Sequence, residues 1–194
     1  MRKKYLLVSL IFLGTLPFRS AALHAAQIEN VSFAESARAG DRTLALHGLG
    51  LLRYKKVIKA YVAALYLAPG SAPETALQDV PKRLELHYFW AIKGPDFGKA
   101  AERIMAAAFP SSQLEPLRER VKQLHAAYRD VKPGDRYSLT YSPGAGTELS
   151  LNDRPIVTIP GADFAAVYFA IWLGEKSGNP ALRQQLLKPT GKAS

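Results

Sequence analysis

The segment HGLGLLRYKKVIKAYVAALYL, residues 47–67, gives the clearest indication of the fold. Residues 43–53 and 57–67 are rich in β-branched, aromatic and other apolar residues, and the short basic segment 54–56 separates them. We therefore predict two long strands joined by a turn. The second strand is apolar on both faces, which is typical of a central strand that is covered on both sides.

Further strands are predicted on either side of this segment. Residues 28–33 (IENVSF) indicate a short first strand, and residues 83–92 (RLELHYFWAI) alternate with a period of two. One face of that alternating strand carries Leu84, Leu86, Tyr88 and Trp90. Three short strands follow at residues 137–141, 147–151 and 155–159, and turn-forming residues at 143–146 and 152–153 separate them.

Helical periodicity appears in two places between and after these strands. Asp96 is placed to cap a first helix that Pro110 ends, and a second amphipathic helix begins near Ser112. A third helix starts at about Asp163, its predicted cap, and a last one starts near Pro180. This order predicts an α+β domain in which helices pack over one face of an antiparallel sheet.

The N-terminus has the pattern of a secretory signal peptide. Three basic residues at positions 2–4 precede an apolar run over residues 5–16, and small residues follow Pro17. The alternative is a membrane anchor, but the run is shorter than the about 20 apolar residues that a spanning helix needs. We predict that residues 1–26 are cleaved near Ala25 or Ala26, and that residues 27–194 form one domain in the periplasm or outside the cell.

Composition and missing motifs exclude several classes of function. The chain has no cysteine, which excludes disulfides, thiol nucleophiles and cysteine-ligated metals. The formal net charge is +10, but four basic residues lie in 1–26 and the others are scattered along the chain, so no nucleic-acid partner is expected. Phosphate-loop, dinucleotide, zinc-protease and nucleophile-elbow motifs are missing, and no histidine has a second ligand at metal spacing.

Polar side chains inside apolar segments are the candidate site residues. Arg53 either holds a carboxylate or phenolate oxygen at the mouth of an apolar pocket, or leaves the strand end for solvent. Lys59 is expected to extend its ammonium group to water, and Tyr61 to pack in the core with a hydrogen-bonded hydroxyl. Gly48 and Gly50 indicate a strand distortion or a position of close packing.

Three stretches together resemble a known family. Residues 47–67, the strand LELHYFWAI and the C-terminal PIVTIPGADFAAVYFAIWLGE are similar to the chalcone isomerase family, and specifically to its bacterial, exported chalcone-isomerase-like branch. The similarity extends over roughly residues 28–187. It implies a large antiparallel sheet with helices over one face, enclosing an apolar cleft.

The resemblance implies two alternative functions. The family includes isomerases that close the flavanone ring and non-catalytic members that bind fatty acids. In an intramolecular lyase, Arg53 would match the arginine that stabilises the substrate oxyanion, and Tyr61 would take the place of a catalytic threonine. In a non-catalytic binder, which we favour because no tyrosine–asparagine pair is found in the second helix, the ligand would contact Arg53, Lys59, Tyr61, His125 and Tyr128.

The resemblance also raises a third hypothesis, which is haem binding. Related members are reported to bind haem, and axial ligation needs a histidine, methionine, cysteine or tyrosine that faces an apolar cavity. His125, on the second helix, is the better candidate ligand, and His87 is the weaker one. The alternative for His125 is a partly exposed position at the edge of that helix. No other cofactor is predicted.

Overall fold

Seven antiparallel strands form a meander in the computed structural model, which describes residues 25–55 and 57–190. A separate hairpin precedes them, made of β1 (Ala25–Ile28) and β2 (Val31–Ala34). The large sheet has the order β3-β4-β5-β6-β7-β8-β9. Its strands are β3 (Ser36–Ala39), β4 (Arg42–Tyr54), β5 (Ile58–Leu67), β6 (Lys82–Tyr88), β7 (Arg136–Ser142), β8 (Gly146–Leu151) and β9 (Arg154–Ile159).

Within the described residues, five α-helices complete the α+β architecture. They are α1 (Gly94–Ala108), α2 (Ser111–Leu114), α3 (Arg118–Ala127), α4 (Ala162–Leu173) and α5 (Pro180–Leu187). Two short 3₁₀ segments, Pro73–Leu77 and Glu115–Leu117, lie between these elements. In the part of the chain described here, no helix is both long and apolar enough to cross a membrane.

Strand β5 is central and covered on both faces, as its sequence predicts. Its residues 62–67 are buried, and they divide between two cores. Ala63 and Leu65 belong to the core under the helices, whereas Val62 and Tyr66 belong to a second core that the β1–β2 hairpin covers. The helices therefore lie over one face of the sheet, and the hairpin lies over the other.

The Gly48–Gly50 pair is a position of close packing. A Cβ atom on Gly48 would lie 2.0 Å from the carbonyl oxygen of Leu186, and one on Gly50 would lie 2.6 Å from Leu182 Cδ1. The register of β4 against β5 also shifts between Leu46 and Gly48. Both glycines therefore allow α5 to lie directly against the backbone of β4.

Several predicted boundaries need correction. The segment 28–33 is not one strand, because Glu29 and Asn30 take positive φ angles of 51° and 62° and turn the chain between β1 and β2. Strand β6 ends at Tyr88, so Trp90 does not share the buried face and is 58% exposed. Edge strand β3 is not among the predicted strands, because its sequence shows no apolar alternation.

The two predicted aspartate caps are also wrong. Helix α1 begins at Gly94, so Asp96 lies inside its first turn, and the carboxylate of Asp130 accepts the Gly94 N–H at 3.0 Å instead. Helix α4 begins at Ala162 without a side-chain cap, and Asp163 pairs with Arg120.

The predicted signal peptide lies almost wholly outside the described residues. Residues 1–24 are not described, and the two predicted cleavage positions, Ala25 and Ala26, are the first residues of β1. Export therefore stays a prediction.

Candidate ligand-binding cavity

An apolar cavity of about 260 Å³ lies between the sheet and the helices. Its floor comes from β4 to β8, and its roof comes from α1, the end of α3, α4 and the start of α5. The register explains why the floor residues converge. Leu52 lies opposite Tyr61, and Tyr61 lies opposite Tyr88, so three neighbouring strands present one row of side chains to the same face.

Aromatic rings form much of the lining. The ring of Tyr88 meets Tyr61 edge-on at 5.7 Å and Phe97 at 5.4 Å between centroids. Phe97 in turn stacks on Tyr128 at 5.1 Å. Edge-to-face and offset contacts of this kind add to the energy of apolar burial.

Most of the buried hydroxyl groups in the lining are already hydrogen-bonded. The Tyr128 and Tyr168 hydroxyls lie 3.0 Å apart, and the indole N–H of Trp172 donates to the Tyr61 hydroxyl at 3.1 Å. The Tyr137 hydroxyl donates to the backbone oxygen of Arg129 and accepts its N–H. The Tyr88 hydroxyl differs, because it has no hydrogen-bond partner among the described residues.

The cavity disfavours negative charge. Burial raises the pKa values of Tyr61, Tyr88, Tyr128 and Tyr168 above the ordinary phenol value, so all four hydroxyls are neutral near pH 7. Neither lysine nor arginine is among the described lining residues, and the one acid there is Asp96. The site is thus suited to an uncharged, largely apolar guest.

The mouth of the cavity lies beside α1. Of the lining residues, Asp96, Ala100 and Gly178 are exposed, whereas the floor residues Leu86 and Leu149 are buried. A guest would therefore enter between α1 and the loop before α5.

Arg53 and Lys59 do not line this cavity. The hypothesis that Arg53 lies at its mouth therefore needs correction in favour of the alternative, in which Arg53 leaves the strand end for solvent. Lys59 is expected to reach water, so only its predicted contact with the ligand needs correction. The register shifts between Leu52 and Arg53, and beyond that bulge Arg53 pairs with Lys59. Both side chains are exposed and both bind the carboxylate of Glu29, in the hairpin on the other face of the sheet. Arg53 Nη2 lies 3.3 Å from Glu29 Oε1. Hydration and this ion pair satisfy both charges.

Tyr61 and Tyr128 are the two predicted site residues that the structure brings together at the cavity. Tyr88 and Tyr168 also line the cavity, but neither is among the predicted site residues. Tyr88 is predicted only to lie on one face of a strand. The alternation of residues 84–88 could have revealed Tyr88, since it places Tyr88 on the helix-covered face beside Tyr61.

Neither candidate haem ligand faces the cavity. The His125 ring packs against Gly98, its Nδ1 lies 3.3 Å from Glu102 Oε1, and its buried Nε2 has no partner among the described residues. Burial lowers the pKa of His125, although Glu102 opposes this shift. His87 packs edge-on against Phe89, which belongs to the core under the hairpin. Neither histidine is therefore placed to ligate haem in this cavity. Among the described residues, no group of three or more histidine or acidic side chains could hold a metal ion.

Comparison with known proteins defines the family. No curated protein matches the chain. A crystal structure of the Arabidopsis thaliana fatty-acid binding protein AtFAP1 matches with a TM-score of 0.63 and 14% sequence identity, over 84% of this chain and 96% of that chain. At this identity the match shows a common fold. The family model for chalcone isomerase-like proteins matches residues 25–188, and the chain therefore belongs to the chalcone isomerase-like family.

Proposed function

We propose that this protein is an exported, non-catalytic binder of a small hydrophobic ligand with a fatty-acid-like chain. The observation that carries this proposal is the apolar cavity between the sheet and the helices. Its volume of about 260 Å³ is near the lower end of the roughly 300–1,000 Å³ that is usual for small-molecule sites. A slender chain suits such a space better than a rigid polycyclic ligand. The likeness in fold to a fatty-acid binding protein supports the same ligand class.

The polar end of the ligand would meet phenols rather than a cation. The free hydroxyl of Tyr88 can donate to a carboxyl or hydroxyl oxygen without breaking an existing hydrogen bond. Because no described lysine or arginine lines the cavity, a carboxylic acid would bind in its neutral form, or keep its carboxylate near the mouth.

The position of Arg53 argues against the lyase alternative. That mechanism needs a cation at the developing oxyanion, and such a donor must lie within hydrogen-bond distance of it. Arg53 instead binds Glu29 outside the cavity, and the phenol pKa values are raised rather than lowered. We therefore favour binding without catalysis.

Native mass spectrometry of the purified protein, followed by lipid extraction, tests the proposal. We expect a bound apolar compound that is released on unfolding, and a smaller bound fraction in Tyr88→Phe, which keeps the ring but removes the free hydroxyl. A protein that carries no ligand and binds neither fatty acids nor flavonoids below millimolar concentration would contradict it.

The N-terminal residue of the same preparation, read by mass spectrometry, tests export, because cleavage should leave Ala26 or Gln27 first.

A further inference from the structure

The exposed large apolar side chains of the described residues are concentrated at one place. They are Tyr54 (58% exposed), Val57 (75%), Ile58 (44%) and Trp90 (58%). We call these four residues the hairpin-tip patch, because three of them flank the turn between β4 and β5. Single exposed apolar residues are common, but a contiguous group usually marks an interaction surface.

Backbone contacts hold the patch together. Tyr54 lies opposite Ile58, and the N–H of Val57 donates to the Tyr54 oxygen at 3.2 Å, which closes a tight turn. The indole N–H of Trp90 donates to the backbone oxygen of Lys59 at 2.8 Å and so fixes the ring beside the start of β5. A shallow depression lined by Val57, Ile58 and Trp90 lies between them. The patch is therefore an ordered surface.

Cations surround the patch. Arg53, Lys55 and Lys59 are all exposed, and Lys55 Nζ lies 5.5 Å from the centroid of the Tyr54 ring. The acid in contact with this group is Glu29, which binds both Arg53 and Lys59. The surroundings of the patch thus keep a net positive charge.

We propose that the hairpin-tip patch docks this protein onto a lipid surface that contains anionic phospholipids. Tryptophan and tyrosine favour the boundary between headgroups and acyl chains, and Val57 and Ile58 at a tight turn can enter it without exposing a long stretch of backbone. The surrounding cations match an anionic headgroup layer, where each contributes about a fivefold gain in affinity. Because these cations surround the patch, a surface of anionic lipids is a better match for it than an apolar protein partner.

This proposal does not depend on the proposed function, although the two sites are close in the chain. Trp90 of the patch precedes Ile92, which lines the cavity, and Asp96 at its mouth. Failure of ligand binding would leave the docking test unaffected, and the reverse is also true.

Vesicle flotation with protein that is produced and purified with its own N-terminus tests the proposal. Vesicles of phosphatidylglycerol and phosphatidylethanolamine are compared with vesicles of phosphatidylcholine alone, at low and high salt. We expect preferential binding to the anionic vesicles, weakened by salt, and a blue shift of tryptophan emission that is lost in Trp90→Phe. Every variant has the same N-terminus, so any contribution from residues 1–24 is common to all.

Matched variants separate the patch from general basicity. Val57→Ser combined with Ile58→Ser should lower vesicle affinity at least about tenfold. Lys55→Gln should lower it about fivefold, whereas Lys122→Gln, the same charge change on α3, should have little effect. None of these replacements removes a buried contact, so circular dichroism should show an unchanged fold. Equal losses for the two lysine variants, unchanged binding of the serine variant, or no vesicle binding by the wild type would each overturn the proposal.

Discussion

Lys82 is the one completely buried lysine among the described residues, and its surroundings set a testable pH dependence. Its ammonium group donates to the backbone oxygens of Gln78 at 2.7 Å and Val80 at 3.1 Å, and it lies 4.6 Å from the centroid of the Tyr141 ring. Burial lowers the pKa of Lys82 from 10.5 to about 8, although Asp79 opposes the shift. The folded protein therefore releases this proton earlier than the unfolded chain does.

The sign of the resulting effect follows from proton linkage. Between about pH 8 and pH 10.5 the unfolded chain binds more protons at Lys82, so the free energy of unfolding rises with pH through that window. We expect the difference between wild type and Lys82→Met to change by about 2 kcal/mol in favour of wild type from about pH 7 to pH 10. Urea unfolding of both proteins measures it. Tyrosine ionisation is common to both and cancels, and parallel curves would contradict the assigned pKa.

For some individual residues, the sequence does not predict on which face of the sheet the side chain lies. Tyr61 could be placed on an apolar strand, and the alternation of β6 identified the buried face of Tyr88. Lys59 could not be placed, because the bulge leaves Ala60 of β5 unpaired and so moves Lys59 off the face that Tyr61 occupies. Glu29, which binds both Lys59 and Arg53, lies 24 positions before Arg53, in a hairpin whose sequence predicts a single strand. Both features depend on tertiary pairing rather than on local pattern.

At the scale of elements, the contact between α5 and β4 should depend on Gly48 more than on Gly50. A methyl group at position 48 meets the Leu186 backbone, which cannot move unless the whole helix shifts, whereas one at position 50 meets the movable Leu182 side chain. We expect Gly48→Ala to lower the free energy of unfolding by about 3 kcal/mol and Gly50→Ala by about 1 kcal/mol. Hydrogen exchange should show faster exchange of α5 amides in Gly48→Ala. Equal effects of the two variants would count against this packing.

Most elements could be predicted, and the errors have physical causes. The strands and helices with clear periodicity are confirmed, including the positions of β7, β8 and β9, except that the predicted second helix is divided into α2, a 3₁₀ segment and α3. The helix caps were wrong because Asp130, which is distant in sequence, takes the capping role at α1. Edge strand β3 has no apolar alternation, so only its pairing with β4 identifies it.

At the scale of the whole molecule, two different layers cover the two faces of the sheet. The β1–β2 hairpin closes one face with a packed core, and the helices close the other face over a cavity. The family resemblance predicted the fold and the apolar cleft. It could not predict that the lining would be neutral phenols with no described cation, because that depends on which face each polar side chain joins.

Titration of a long-chain fatty acid by calorimetry, into wild type and two matched variants, tests whether the cavity binds an apolar ligand. Ala101 is buried on α1 and lines the cavity, whereas Ala107 is exposed on the same helix. Phenylalanine at position 101 would fill the cavity, at a stability cost of about 1–3 kcal/mol that thermal unfolding monitors. We expect submillimolar binding with a negative heat-capacity change in wild type and Ala107→Phe, and loss of binding in a folded Ala101→Phe. Unchanged binding by folded Ala101→Phe, or no binding by wild type, would contradict it.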